Sequence, residues 1–199
     1  MKKTERLETA IRQKQIKQAV LEIIAQEGLH NLSTRNLAKK VGLTEGAIFR
    51  HFPTKRDIIK GIMEDVENEL VAGLKEIANG SLSPEEKLFN FLCYHVQYLK
   101  ANRGITILLF SEATHLGDKE LIGRLRRIFS DQKGLIAKII KEGISENIWE
   151  KNINPSDVAT LYMGIPITFN IEYILNKKGI NMKNFCRRMY ELVINVLKN

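Results

Sequence analysis

Thr54-Lys55-Arg56-Asp57 places two cations in the first turn of a helix, with Thr54 as its cap and Asp57 three residues on. Cations at that end oppose the helix dipole and cost roughly 0.3 kcal/mol or more. A phosphate held at the same helix start reverses the sign, because free backbone N–H groups and the dipole both favour an anion. Local neutralisation by Asp57 is the simpler alternative. Immediately upstream, Ser33 to Phe52 reads as two short helices joined by a tight glycine turn and closed by an aromatic anchor. Such a unit pushes its second helix into the major groove of DNA, where a guanidinium such as that of Arg50 pairs with guanine O6 and N7.

The helix-turn-helix needs particular residues. Ala38 is small where helices two and three cross closely, and Gly42 sits where the chain leaves helix two, in a left-handed conformation that glycine adopts at low cost. Leu37, Val41, Leu43 and Ile48 are apolar where the two helices face each other, and Thr44 is placed to cap helix three. Phe52, four residues after Ile48, shares its buried face. A first helix over about 6–26 turns Ile16, Ala19, Val20, Ile23 and Ile24 to one side, and Pro53 stops helix three. Helical periodicity continues with almost no strand pattern: helix four to about residue 78, then helices over about 84–101, 103–114, 117–147, 152–176 and 182–198.

The 199 residues, 44% hydrophobic and 27% charged, have the composition of a soluble globular protein with length for a core of its own. The formal charge of +8 is uneven: residues 1–60 carry 13 Lys/Arg against 6 Asp/Glu, and residues 61–199 carry 18 against 17. A basic front on a neutral rear predicts a polyanion-binding module on a body that binds something else. No apolar segment of signal-peptide type follows the charged start and no apolar run approaches ~18 residues, so a cytoplasmic protein without a membrane span is expected. Cys93 and Cys186 share no metal or redox spacing and read as separate buried thiols, with no disulfide between them. A glycine-rich phosphate loop, paired histidines at metal spacing and a nucleophile elbow are all missing, so no enzyme, metal or cofactor is expected.

Residues 16–60 resemble the DNA-binding domain of the tetracycline-repressor (TetR) family. The resemblance runs through Gly28, Leu37-Ala38, Val41-Gly42-Leu43-Thr44, Gly46-Ala47-Ile48-Phe49-Arg50-His51-Phe52 and Lys55. It implies an all-helical homodimer with one helix-turn-helix per subunit and a C-terminal ligand pocket. It also implies repression of a palindromic operator, relieved by a small hydrophobic molecule. At matching positions it implies phosphate contacts for His51 and Lys55 and a backbone contact for Thr44. Glu45, Gly46 and Arg50 would face the groove floor. The family usually has Tyr where this chain has Phe49, which lacks the hydroxyl and is left to pack on a sugar or a thymine methyl. Glu45 either accepts from cytosine or pairs with a nearby Lys or Arg, and His51 is alternatively a packed interior histidine. The candidate DNA-binding set is Thr34, Arg35, Thr44, Glu45, Gly46, Ala47, Phe49, Arg50, His51 and Lys55.

In the rear, Phe185, Met189, Leu192 and Val196 form a stripe too broad for one neighbour to cover. Helix eight offers Val158, Leu161, Tyr162, Ile165 and Phe169. Two such helices from each subunit make a four-helix isologous interface; packing within one subunit is the alternative. The candidate pocket comprises Phe89, Tyr94, Phe110, Glu112, His115, Tyr162 and Pro166. Glu112 and His115 either supply its polar contacts or lie on the surface, and Pro166 removes a backbone hydrogen bond that either opens space or fits the bundle's curvature. Arg124, Arg126 and Arg127 read as a solvated face.

The expectation is therefore an all-α protein. A three-helix N-terminal DNA-binding bundle with a helix-turn-helix, residues 1–53, is followed by a C-terminal bundle of about six helices, 54–199, that senses a ligand and dimerises. Its partners are double-stranded DNA, a second copy and a small hydrophobic ligand. The alternative is a DNA-binding protein controlled by a protein partner or by DNA geometry, without a small ligand.

Overall fold

The computed structural model describes residues 2–115, 117–176 and 184–198, without the side chains of 2–7 and 113–115. Its regular elements, among the described residues, are all helical. They are α1 (Lys2–Glu27), α2 (Thr34–Val41), α3 (Glu45–His51), α4 (Lys55–Asp65), α5 (Ala72–Asn79), α6 (Pro84–Ala101), α7 (Ile105–His115), α8 (Lys119–Ser145), α9 (Pro155–Leu175) and α10 (Phe185–Lys198). A π-helical turn, Val66–Val71, joins α4 to α5 without a break, so helix four of the sequence is one run with an irregular middle.

The helix starts follow from local chemistry. Thr54 with Asp57, and Ser83 with Glu86, form reciprocal capping boxes that satisfy backbone N–H groups otherwise left open. Asp118 and Asn154 cap α8 and α9, and Pro84 and Pro155 occupy first-turn positions where their missing N–H costs nothing. In front, α1, α2 and α3 close over Ile16, Val20, Ile23, Leu37, Ile48 and Phe52. Behind, α6, α8 and α9 pack around Leu88, Phe91, Ile136, Ile140, Tyr162 and Phe169.

The two halves meet through α7, which packs on α1 and α4 in front and on α8 and α9 behind. Gly104 just ahead of α7 makes this possible: a Cβ there would lie 2.6 Å from the Leu21 carbonyl oxygen. Ion pairs support the joint. Lys17 reaches Asp65 at 2.5 Å, Arg56 pairs with Asp118 and Glu120, and Lys60 reaches Glu120 at 3.1 Å. Arg124 is not part of a solvated face; it lies largely buried and bridges Glu64 and Glu67 on the α4 run, while Arg126 and Arg127 are exposed.

Three other expectations need correction. First, α9 is long and apolar enough to cross a bilayer. Its character has an internal cause: one side packs on α6 and α8, while another carries exposed Leu161, Ile171 and Leu175. Second, Val158, Tyr162 and Phe169, assigned by the sequence to the dimer face, are turned into the subunit's own core. Phe185 packs on Phe169 at 5.1 Å between ring centroids and is half-buried, as is Met189, while Leu192 and Val196 are exposed. Third, Cys93 and Cys186 are neither fully buried nor apart. They are free, half-buried thiols brought together by α6 and α10, and the hydrogen bond from Cys93 draws Cys186 below the usual thiol range.

Gly104→Ala should lower stability by about 1–3 kcal/mol, because the atom it meets is backbone and cannot swing aside. Gly123→Ala, where a Cβ meets nothing within 4 Å, should be neutral or stabilising. Denaturant midpoints of the two variants check this; equal midpoints would remove the claimed closeness at α7.

Candidate nucleic-acid interface

The recognition unit is assembled by its caps. Ser33 accepts from Asn36 N at 3.2 Å to start α2. Gly42 ends it at φ 72°, and Leu43 N then bonds back to Ala38 O at 2.9 Å. Thr44 accepts from Ala47 N at 3.2 Å to start α3, and Phe52 N bonds to Ile48 O to end it. The hydroxyl of Thr44 is thus engaged in the cap, leaving a lone pair and its proton to face outward.

Helix α3 is two-sided. Ala47 and Ile48 are buried, so Ala47 does not belong to the outward face on which the sequence placed it. Glu45, Gly46, Phe49 and Arg50 form that face, with Phe49 47% exposed. An exposed phenylalanine on a helix of this polarity costs apolar hydration, which packing on a sugar or methyl group would relieve. Arg35 at the start of α2 is also exposed, and neither it nor Arg50 has an ion-pair partner among the described residues. Thr34 is half-buried. A cleft of about 310 Å³ opens here, lined by Thr34, Phe49, Thr54 and Lys55 and by Leu37, Ile48 and Phe52. His51 is half-buried, and its carbonyl accepts from Gln13 Nε2 at 3.1 Å, which ties the end of α3 to α1.

The structure gives Lys55 and Arg56 protein partners. Lys55 Nζ lies 2.9 Å from Glu112 Oε1 at the end of α7, with the Lys55 side chain half exposed and Glu112 only 5% exposed. Arg56 turns to Asp118 and Glu120, and holds the Asp118 carboxyl down at about 2. Asp57 serves the capping box, so the cations are neutralised chiefly from α7 and α8.

A second feature lies behind. A half-open cavity of about 50 Å³ lies among the π-turn, α6, α7, α8 and α9. Of the pocket residues chosen from the sequence, Phe110 lines it. Phe89 packs edge-on against Tyr190, Tyr94 donates to Glu69 O at 2.9 Å, and Tyr162 donates to Leu88 O. Glu112 is held by Lys55, Pro166 is buried within α9, and the His115 side chain lies outside the described residues. The polar residues that do line the cavity are His95, Tyr98, Thr106 and Gln132, and His95 and Gln132 carry no signal in sequence beyond being polar positions on long helices. Burial holds the His95 imidazole down to about 3, so it is neutral.

A small basic helical bundle that projects one short capped helix, carrying an arginine with no ion-pair partner among the described residues, is a helix-turn-helix DNA-binding regulator. The comparisons agree. The pattern described as bacterial regulatory proteins, tetR family, matches residues 16–62, and that of the YsiA-like protein C-terminal region matches residues 62–196. The chain belongs to the TetR family of bacterial regulators. Nucleoid occlusion factor SlmA of Vibrio campbellii is 26% identical over 132 residues, 66% of this chain and 67% of the relative. The ketosteroid regulator KstR2 of Mycobacterium tuberculosis shares the fold with TM-score 0.81 at 15% identity, over 94% of this chain and 95% of its own. FadR of Bacillus subtilis, solved with stearoyl-CoA, does so with TM-score 0.72 at 19% identity, over 91% and 97%.

The His95 environment sets a pH dependence. A buried neutral histidine takes up its proton only on unfolding, so stability is full above about pH 6.5 and falls as pH drops toward 3. This group alone should remove about 2 kcal/mol between pH 7.5 and 5. Urea unfolding at both pH values measures the loss, which should be absent in His95→Leu; an unchanged loss in that variant would assign it elsewhere.

Proposed function

We propose that the protein is a homodimeric cytoplasmic repressor that acts by binding and not by catalysis. It releases a palindromic operator when an apolar molecule enters the rear cavity. Residues 1–53 hold the DNA and residues 54–199 sense and dimerise. Arg50 reads a base; Thr44, His51 and Lys55 meet phosphates; Thr34, Arg35, Glu45, Gly46 and Phe49 complete the contact. Exposed Leu161, Ile171 and Leu175 of α9 and Leu192 and Val196 of α10 supply the dimer face.

The observation that carries this reading is the double engagement of α7. The helix lines the cavity with Ile105, Thr106, Leu109 and Phe110, and two residues later Glu112 holds Lys55. A ligand that displaces α7 therefore alters a residue at the DNA face and the packing of α4, shifting the population of dimers whose recognition helices are correctly spaced. The name carried by the SlmA relatives supports a second reading, in which a protein partner bound to the DNA-held dimer replaces the small ligand.

Titration of the protein against a palindromic duplex from its own upstream region, beside a scrambled duplex and at several salt concentrations, tests the proposal. Selective, salt-sensitive binding is expected. Arg50→Ala should lose the preference by about 1–3 kcal/mol, whereas Lys55→Ala should weaken both duplexes alike and reduce the salt slope by about 1. Equal weak binding to every duplex would refute operator recognition. Glu112→Gln keeps the shape of the contact and removes its charge, freeing Lys55 for phosphate. Affinity for the scrambled duplex should rise severalfold at low salt, and an unaltered affinity would uncouple α7 from the DNA face.

A further inference from the structure

The rear cavity holds two polar groups that the fold leaves unsatisfied. Gln132 on α8, 3% exposed, donates through Nε2 to Ile128 O at 3.1 Å, and its Oε1 has no hydrogen-bond partner. His95 on α6, 4% exposed, leaves Nδ1 without one. Both side chains line the cavity. A buried polar atom without a partner costs far more than an exposed one, and such atoms on two side chains that line one cavity gain partners when a hydrogen-bonding group enters; Tyr98 and Thr106 are the other polar side chains of the lining. The π-turn contributes Val66 and Leu70 to the same wall, and such turns recur where a helix is shaped around a ligand.

The lining also restricts what can enter. Among the described residues it contains no Lys, Arg, Asp or Glu. A carboxylate or phosphate there would lose its hydration with no counter-charge in return. Gln132 Oε1 can only accept, so the incoming group must donate; a neutral imidazole gives or takes one hydrogen bond at Nδ1 according to its tautomer. A hydroxyl meets both demands. The space is about 50 Å³ and half open to solvent, so it takes the hydroxyl end of a ligand whose apolar body lies toward the open side.

We propose that the cavity binds an uncharged apolar alcohol or phenol through its single hydroxyl, with Gln132 Oε1 accepting from it and His95 Nδ1 as its second partner. This rests on the reading of the rear domain as a ligand sensor and names the ligand's chemical class. The two stand apart in the test below.

Three probes share one ring system and differ in one group: 2-naphthol, 2-methylnaphthalene and 2-naphthoate. Their affinities for the full-length protein are measured by calorimetry or ligand-observed NMR. 2-Naphthol should bind about tenfold or more tightly than 2-methylnaphthalene, with 2-naphthoate weakest. Gln132→Leu should bring 2-naphthol down to the level of 2-methylnaphthalene while leaving the latter unchanged. Equal affinity of the first two probes for the wild-type protein, tightest binding of 2-naphthoate, or no binding of any probe overturns the proposal, as does a preference that survives Gln132→Leu. If that variant does not fold, the wild-type ranking decides. Adding a duplex that the protein retains separates the two levels. Selective 2-naphthol binding without release upholds the cavity assignment and refutes induction, whereas release by 2-naphthoate in preference to 2-naphthol does the reverse.

Discussion

A nearly buried carboxylate must be met by a cation, and Glu112 is met by Lys55. That single requirement sets the end of α7 against the start of α4, and with it the attitude of the recognition unit on the rest of the molecule. The close approach at Gly104 secures the other end of α7 against α1. Pinned at both ends to the front bundle, α7 is left to close the rear cavity with its middle. Ion pairs from Arg56, Lys60 and Arg124 then line the same seam with charges that are individually weak but share one orientation.

The positive front is less freely available than its composition suggests. Lys17, Lys40, Lys55, Arg56 and Lys60 all have acidic partners within the subunit. Exposed cations without an ion pair among the described residues of the front are Arg12, Lys14, Arg35, Lys39 and Arg50, of which Arg35, Lys39 and Arg50 belong to the helix-turn-helix that also carries Phe49. Charge steers a protein to DNA over a distance, but side chains free of internal partners do the reading.

Helix α9 shows how one amphipathic rule can mislead. Its residues are apolar almost all round, because it packs on α8 and α6 on one side and presents Leu161, Ile171 and Leu175 on another. Periodicity identifies the helix, but a helix without a polar face does not declare which apolar face is covered within the subunit. The aromatic residues drawn to a core were therefore mistaken for the interface. The rear cavity was hidden for a related reason: His95 and Gln132 are ordinary polar letters that matter because burial leaves His95 Nδ1 and Gln132 Oε1 without partners.

The sequence by itself determined what neighbours a few residues apart can settle. The caps at Thr44 and Thr54, the left-handed Gly42, the buried Ile48 and Phe52, and the run of helices all rest on hydrogen bonds and contacts within one or two turns. The family resemblance rested on the same local pattern. Only the tertiary structure decided that Lys55 meets Glu112, that Cys93 lies beside Cys186, that Tyr162 points inward, and that His95 and Gln132 share a cavity. Each joins elements far apart in the chain, and such pairings follow from how helices dock, which local periodicity leaves open.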